Sequence, residues 1–333
     1  MPGDARWPRM KPTNAWVGAS KPTIVRLWKW GGISPAPTSP LGSSMVDFVK
    51  IRLRGHRHRH YRRALREHPA LGWIAPNHHV HYPPNGCTAV AEWRNGWCFY
   101  ADDTDVLEMR GSFHRLCHGD NWQDFTQADY ARTLQEFCDF FKLFEGSLVF
   151  LNIEFGLNVI PPVPTKEVLP RVLFHRTTRP VPMLPPANGI VVVRKGHYRL
   201  KMYDKAMQFG LPGELMRFEV HLDRMARLKQ LGIVNADDLL DPSKWLHAEQ
   251  FVLAKFQELF LLDTEISTDL VSQQQAQMLA QAEDWSSWIG LRPNGRYKRR
   301  KSLERLYAMH SDPCIRGELM ARMSEKFELL RTF

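Results

Sequence analysis

Cysteine is scarce in this chain. The five present (Cys87, Cys98, Cys117, Cys138 and Cys314) are odd in number and form no CxxC pair, which argues against a disulfide scaffold and a structural zinc ribbon. Long apolar runs are missing as well, and none approaches the ~18 residues of a membrane span. The N-terminal region lacks the apolar stretch of a secretory signal. No internal repeat and no sustained heptad occurs. A reducing cytoplasm is the simplest compartment for such a composition. Core-forming residues are not lacking: 44% of the 333 residues are hydrophobic, which speaks against global disorder and suffices for one large domain or two ordinary ones. Charge leans basic, with 45 Lys+Arg against 35 Asp+Glu and a formal net charge of +10. That excess suits a polyanionic partner without establishing one.

The chain divides into three stretches. Residues 1–44 are rich in Pro and Trp and lack amphipathic periodicity. They read as a disordered basic leader, or as upstream sequence translated from an early start codon; an aromatic-basic arm contacting DNA is the competing reading. Residues 45–241 read as a sheet-based domain. Alternation opens at Met45–Leu53 and continues through the hairpin Thr88–Tyr100, Val106–Ser112, Ser147–Val159, Ile190–Val193, Tyr198–Tyr203 and Leu215–Leu222. An amphipathic helix over Thr126–Leu143 covers the sheet, and shorter helices are expected at Asp204–Phe209 and Arg224–Leu231. The fold class is therefore α+β, with a mostly antiparallel central sheet. Residues 242–333 turn helical, with helices expected over Trp245–Leu262, Glu265–Gln281, Ser302–His310 and Ile315–Leu330. The basic run Asn294–Lys301 reads as a loop between two of them.

Four groups of residues are candidates for chemistry or binding. In Tyr198–Lys205, strand alternation puts Lys201, Tyr203 and Lys205 on one face if the strand extends that far. Flanking positive charge would favour a phenolate at Tyr203, and a lysine could steady a phosphoryl oxygen. The plainer reading is a tyrosine and two lysines on a solvated strand. Second, Glu108, Glu154 and Glu219 lie inside apolar strands, where a carboxylate must be paired, protonated or metal-bound. Carboxylates from neighbouring strands would suit Mg²⁺ or Mn²⁺; alternatively each pairs locally, Glu219 with Arg217 for example. Third, His79 and His81 form a His-apolar-His pair, although His56, His58, His60, His114 and His118 make chance pairs easy to find. Arg296, Lys298, Arg299, Arg300 and Lys301 are either a solvated basic segment or a phosphate-contacting patch.

Four blocks taken together resemble the filamentous-phage gene II endonucleases and related phage and plasmid rolling-circle replication initiators. They are Leu107–Ser112 with the His118–Asn121 turn, Asn152–Val159, Leu200–Lys205 and Leu215–Val220. The resemblance spans about Met45 to Leu240, and its most specific part is the Tyr203-Asp204-Lys205 block followed by Arg217-Phe218-Glu219. It implies a nickase-type fold and an enzyme that nicks one strand of a double-stranded origin. Tyr203 looks like the nucleophile, joined to the 5′ phosphate before the displaced strand is cleaved and rejoined. It further implies a divalent metal (with acidic residues in place of the usual histidines), displaced single-stranded DNA, host polymerase and helicase as partners, and a bacterial host cytoplasm. The C-terminal helices leave room for a homodimer. Two rival readings stand beside it: a non-catalytic DNA-binding protein, and a metal-dependent nuclease that uses water, with Glu154 and Glu219 as ligands.

Overall fold

The computed structural model describes residues 45–53, 59–76, 83–103, 105–176, 178–182, 189–263, 266, 268–310 and 314–331. Residues 1–44 and the His79/His81 pair lie outside them. In chain order the elements are β1 (Val46–Leu53), α1 (Arg59–Arg66), β2 (Ala89–Trp93), β3 (Trp97–Ala101), β4 (Val106–Gly111), α2 (Phe113–His118), α3 (Gln127–Phe141), β5 (Leu148–Val159), α4 (Thr165–Val168), β6 (Val172–His175) and β7 (Val181–Pro182). They continue with β8 (Val191–Arg194), β9 (Tyr198–Asp204), α5 (Lys205–Phe209), β10 (Met216–Leu222), α6 (Met225–Gln230), α7 (Pro242–Gln257), β11 (Leu259–Leu261), α8 (Gln273–Glu283), α9 (Ser286–Ile289), α10 (Pro293–His310) and α11 (Ile315–Leu330).

The chain is α+β. A nine-stranded sheet has the order β2-β3-β4-β1-β5-β10-β9-β8-β7, with every pairing antiparallel. Its two faces follow from period-2 alternation. On β10, Met216, Phe218, Val220 and Leu222 point one way and Arg217, Glu219 and His221 the other, yet all seven are buried. The apolar face is covered by helices. Leu134 and Phe137 of α3, Trp245, Val252 and Phe256 of α7, and Leu319, Met323 and Phe327 of α11 share one core with it. Phe256 meets Phe218 edge-on at 5.4 Å. The helix α3 starts at a capping box, Thr126 with Asp129, which satisfies backbone donors that the first turn leaves unpaired. The helix α7 starts with Asp241 as its cap and Pro242 in its first turn, where a missing N–H costs nothing.

Three expectations for the C-terminal stretch need correction. The helix from Trp245 ends at Gln257, and Leu259–Leu261 forms strand β11 paired with β6. A short apolar run fits either period, so hydrophobicity alone could not separate them. The next helix begins at Gln273 rather than Glu265, behind the Ser272/Gln275 capping box. The basic run Asn294–Lys301 is not a loop but the first half of α10. Pro293 and Gly295 look like breakers in sequence, but proline in a first turn starts a helix as readily as it ends one. This helix, with β6, β11, α8 and α9, encloses a second apolar cluster around Phe174, Phe260, Trp288, Leu303 and Leu306.

Candidate metal and catalytic centre

The polar face of the sheet carries a constellation of buried charges. Arg217 is fully buried. Its Nε donates to Glu219 Oε1 at 2.6 Å, Nη1 to Asn158 Oδ1 at 2.8 Å and Nη2 to Asp47 Oδ2 at 2.8 Å. Burial alone would disfavour its charge, but Asp47 and Glu219 outweigh that and raise its pKa. The guanidinium has room because residue 156 on the neighbouring strand is glycine.

Asp47 reaches this face through an irregularity in β1. The β1–β5 register shifts between Val46 and Val49, so the consecutive residues Asp47 and Phe48 both line the same cavity, as a β-bulge allows. Asp47 Oδ1 accepts from Ser112 Oγ at 3.1 Å, and both of its oxygens accept from Asn121 Nδ2, at 3.1 and 2.9 Å.

The other carboxylates come from β5 and β10. Lys201 Nζ lies 2.7 Å from Glu154 Oε2 and 2.8 Å from Glu219 Oε2. Burial pushes against the Lys201 charge, but the two glutamates hold its pKa above the ordinary lysine value. Glu219 behaves conversely. Burial would raise its pKa, yet Arg217 and Lys201 hold it well below the carboxylate range. His221 Nδ1 lies 3.2 Å from Glu154 Oε2, while its Nε2 lies 2.7 Å from Asn152 Nδ2 and 3.2 Å from Asp223 Oδ1.

Tyr203 donates to Glu219 Oε1 at 2.6 Å. Its pKa is raised well above the ordinary 10 by burial and by the Glu219 charge, with Arg217 opposing. The expectation that neighbouring lysines favour a phenolate is thus reversed: Lys201 is engaged with the carboxylates and Tyr203 is a neutral donor. The strand ends at Asp204, which caps α5 by accepting from Met207 N at 2.7 Å. That turn, rather than continued alternation, brings Lys205 into the site. Its fully buried ammonium lies 2.9 Å from Asn121 Oδ1, 3.5 Å from Tyr203 Oη and 4.6 Å from the centre of the Phe209 ring. Burial, then the Arg217 charge, lowers its pKa to about 7.

Asp47, Asn121, Glu154, Lys201, Tyr203, Lys205, Glu219 and His221 line a cavity of about 580 Å³, together with Phe48, Arg115 and Arg199. Ligand oxygens of Asp47, Glu154 and Glu219 all lie within 4.8 Å of one another. Oxygen donors in that number suit a hard divalent cation such as Mg²⁺ or Mn²⁺.

Tyr203, Lys201, Lys205, Glu154 and Glu219 therefore come together. Glu108 does not join them. It shares the polar face but sits on β4, two strands from β5, where it pairs with Arg110 and, at 2.9 Å, with Lys50. Asp47 supplies the third clustered carboxylate instead, with both of its oxygens already accepting hydrogen bonds. Sequence reasoning passed over Asp47, Arg217, Asn121, Asn158 and His221 as site residues. Strict alternation in Arg217-Phe218-Glu219-Val220-His221 could have flagged two of them. Of the basic run, Arg296, Arg299 and Arg300 hydrogen-bond within the C-terminal helices, whereas Lys301 is half-exposed beside Glu304. A second donor group, Cys117, His118 and Asp129, is half-buried where α2 meets α3. There Arg132 already bonds Asp129 at 2.6 Å and Cys117 at 3.5 Å.

No family model matches the chain and no curated protein does. Among solved structures it is similar to the rolling circle replication initiator protein from Geobacillus stearothermophilus, at 11% identity over 73% of this chain and 97% of that one, with a TM-score of 0.37. Likeness at that level assigns neither fold nor function. Among the described residues no helix is long and apolar enough to cross a membrane.

Proposed function

We propose that this chain is a divalent-metal-dependent nuclease that cleaves DNA phosphodiesters at the polar face of its sheet. The observation that carries this reading is the convergence of Asp47, Glu154 and Glu219 on one cavity that also presents Arg115, Arg199, Lys201 and Lys205. A phosphodiester needs both kinds of group: carboxylates to hold the cation and cations to hold the phosphate. A bound Mg²⁺ or Mn²⁺ would supply Lewis-acid polarisation of a phosphoryl oxygen. Arg199 and Arg115 would orient the strand through its phosphates. Lys205, with a pKa of about 7, is an amine able to take a proton at neutral pH. Water is the nucleophile in this reading, and Tyr203 fixes the orientation of Glu219.

A second reading makes Tyr203 the nucleophile, and one observation favours it: the phenol lies between Glu219 and the Lys205 amine. The tyrosyl oxygen would bond to phosphorus as the bond to the 3′ oxygen breaks. Lys205 would take the phenolic proton, and the departing 3′ oxygen would take one from solvent. The product is a 5′-phosphotyrosyl linkage that conserves phosphodiester energy for rejoining, as replication initiation at a phage or plasmid origin requires.

One experiment separates the readings. The protein is incubated with supercoiled plasmid and with single-stranded DNA in Mn²⁺ or EDTA, then run on a denaturing gel. The water reading gives metal-dependent cuts, free ends and retained cleavage in Tyr203→Phe. A protein–DNA band lost in Tyr203→Phe supports the second reading. Unchanged DNA in every lane rejects both.

A further inference from the structure

The ammonium of Lys201 already bridges Glu154 and Glu219, the two carboxylates that a catalytic cation would need. Its situation differs from that of Arg217. Arg217 is sealed in the sheet, with bonds to Asp47, Asn158 and Glu219. Lys201 is 29% exposed, while its partners Glu154 and Glu219 are 8% and 2% exposed. The lysine thus lies over the carboxylates from the cavity side. Its flexible four-carbon stem lets the ammonium leave without moving the strand.

We propose that Lys201 is a built-in competitor for the divalent cation. It bridges Glu154 and Glu219 in the metal-free protein and gives them up when the cation binds. The inference rests on the reading above, that this cluster holds a metal. Two consequences follow. The apparent metal affinity is reduced by the fraction of molecules in which the ammonium occupies the carboxylates. The released ammonium is then left at the cavity wall, free to meet a substrate phosphate. Removing Lys201 therefore acts in opposite directions, tightening the metal and slowing cleavage.

The test is calorimetric titration of the full chain with Mn²⁺ alone, without DNA, for the wild type, Lys201→Met and Lys201→Arg. Lys201→Met is expected to bind about tenfold to a hundredfold tighter, the range set by losing a charge-assisted competitor. Lys201→Arg keeps the competing cation and should stay within about threefold of wild type. Equal or weaker binding by Lys201→Met, alongside measurable binding by wild type, overturns the competition and leaves the metal reading intact. Tightening in Lys201→Arg as large as in Lys201→Met also overturns it, because charge would not be the cause. Absence of binding in all three removes the metal reading and this inference with it. Lys201→Gln, neutral and still able to donate to the carboxylates, carries the same expectation if Lys201→Met does not fold by circular dichroism.

Discussion

The guanidinium of Arg217 lies across Gly156 so closely that a Cβ at position 156 would stand 2.3 Å from Nη2 and 2.7 Å from Cζ. The glycine is what lets a fully buried arginine reach Asp47 on the far side of β5. Gly156→Ala should therefore force Arg217 off its partners. Breaking a buried ion pair costs about 3–5 kcal/mol, so a loss of about 3 kcal/mol is expected in urea unfolding. The cause can be isolated with a double-mutant cycle. In an Arg217→Met background the alanine should cost much less, because the clashing group is gone. Full additivity of the two costs would show that the contact does not matter.

Lys205 gives the fold a pH signature. Its native pKa is lowered to about 7 from 10.5. Between those values the unfolded chain keeps a proton that the native chain has released, so stability rises as pH increases through that window. Below about pH 7 both states are protonated and the burial penalty is fully present. The expected gain from pH 7 to pH 10 is on the order of 3 kcal/mol. Tyr203 acts oppositely only above pH 10, where the unfolded phenol ionises first. Urea unfolding of wild type and Lys205→Met at pH 7, 8 and 9 tests this. The wild-type rise should largely vanish in the variant, and parallel curves would refute the assignment.

The sheet was legible because its alternation is strict. The strand β10 runs apolar and polar residues in turn without a break, so its faces follow from period alone, whereas the pairing of Glu219 with Lys201 depends on a strand register that period does not give. Asp47 was not legible for the opposite reason. The bulge between Val46 and Val49 reverses parity within β1, and parity is what assigns a face. Lys205 was grouped correctly with Tyr203, but on an argument that the structure replaces: a capped turn, not a longer strand, carries it inward. Glu108 misled because a buried carboxylate in a strand looks the same whether its partner is a metal or the lysine beside it.

The basic half of α10 divides into arginines that bond inside the protein and lysines that face outward. Arg299 bonds Ser287 O at 2.9 Å and lies 4.9 Å from the Trp288 ring, tying α10 to α9. Arg296 caps the same short helix through Trp288 O at 3.1 Å, and Arg300 reaches Glu258 O at 3.2 Å. Arg299→Ala should cost about 2 kcal/mol of stability through lost hydrogen bonds and ring stacking. Lys298 and Lys301 are exposed, so replacing both by alanine should change stability by less than about 0.5 kcal/mol. If they contact duplex phosphates, that double variant should lower the slope of log affinity against log salt by about 2. An unchanged slope assigns the run to holding the helices together.

The three clustered carboxylates are not equivalent, and substitution should separate them. Asp47 is saturated: its two oxygens accept from Ser112, Asn121 and Arg217. Glu154 is engaged only at its edge, since Lys201 and His221 both meet Oε2. Glu219 shares Oε1 between Arg217 and Tyr203 and meets Lys201 through Oε2. A cation that competes with Lys201 thus finds its oxygens on Glu154 and Glu219, while Asp47 fixes Arg217 beneath them. Glu154→Gln should keep the fold and weaken Mn²⁺ binding about tenfold or more, the order expected when a charged donor becomes an amide. Asp47→Asn should instead cost about 3 kcal/mol in urea unfolding, because it leaves the buried Arg217 with one fewer charged partner. Its effect on Mn²⁺ affinity, measured under conditions where it is folded, should be smaller than that of Glu154→Gln. The reverse order would make Asp47 a direct ligand and place the cation deeper in the sheet, against Arg217.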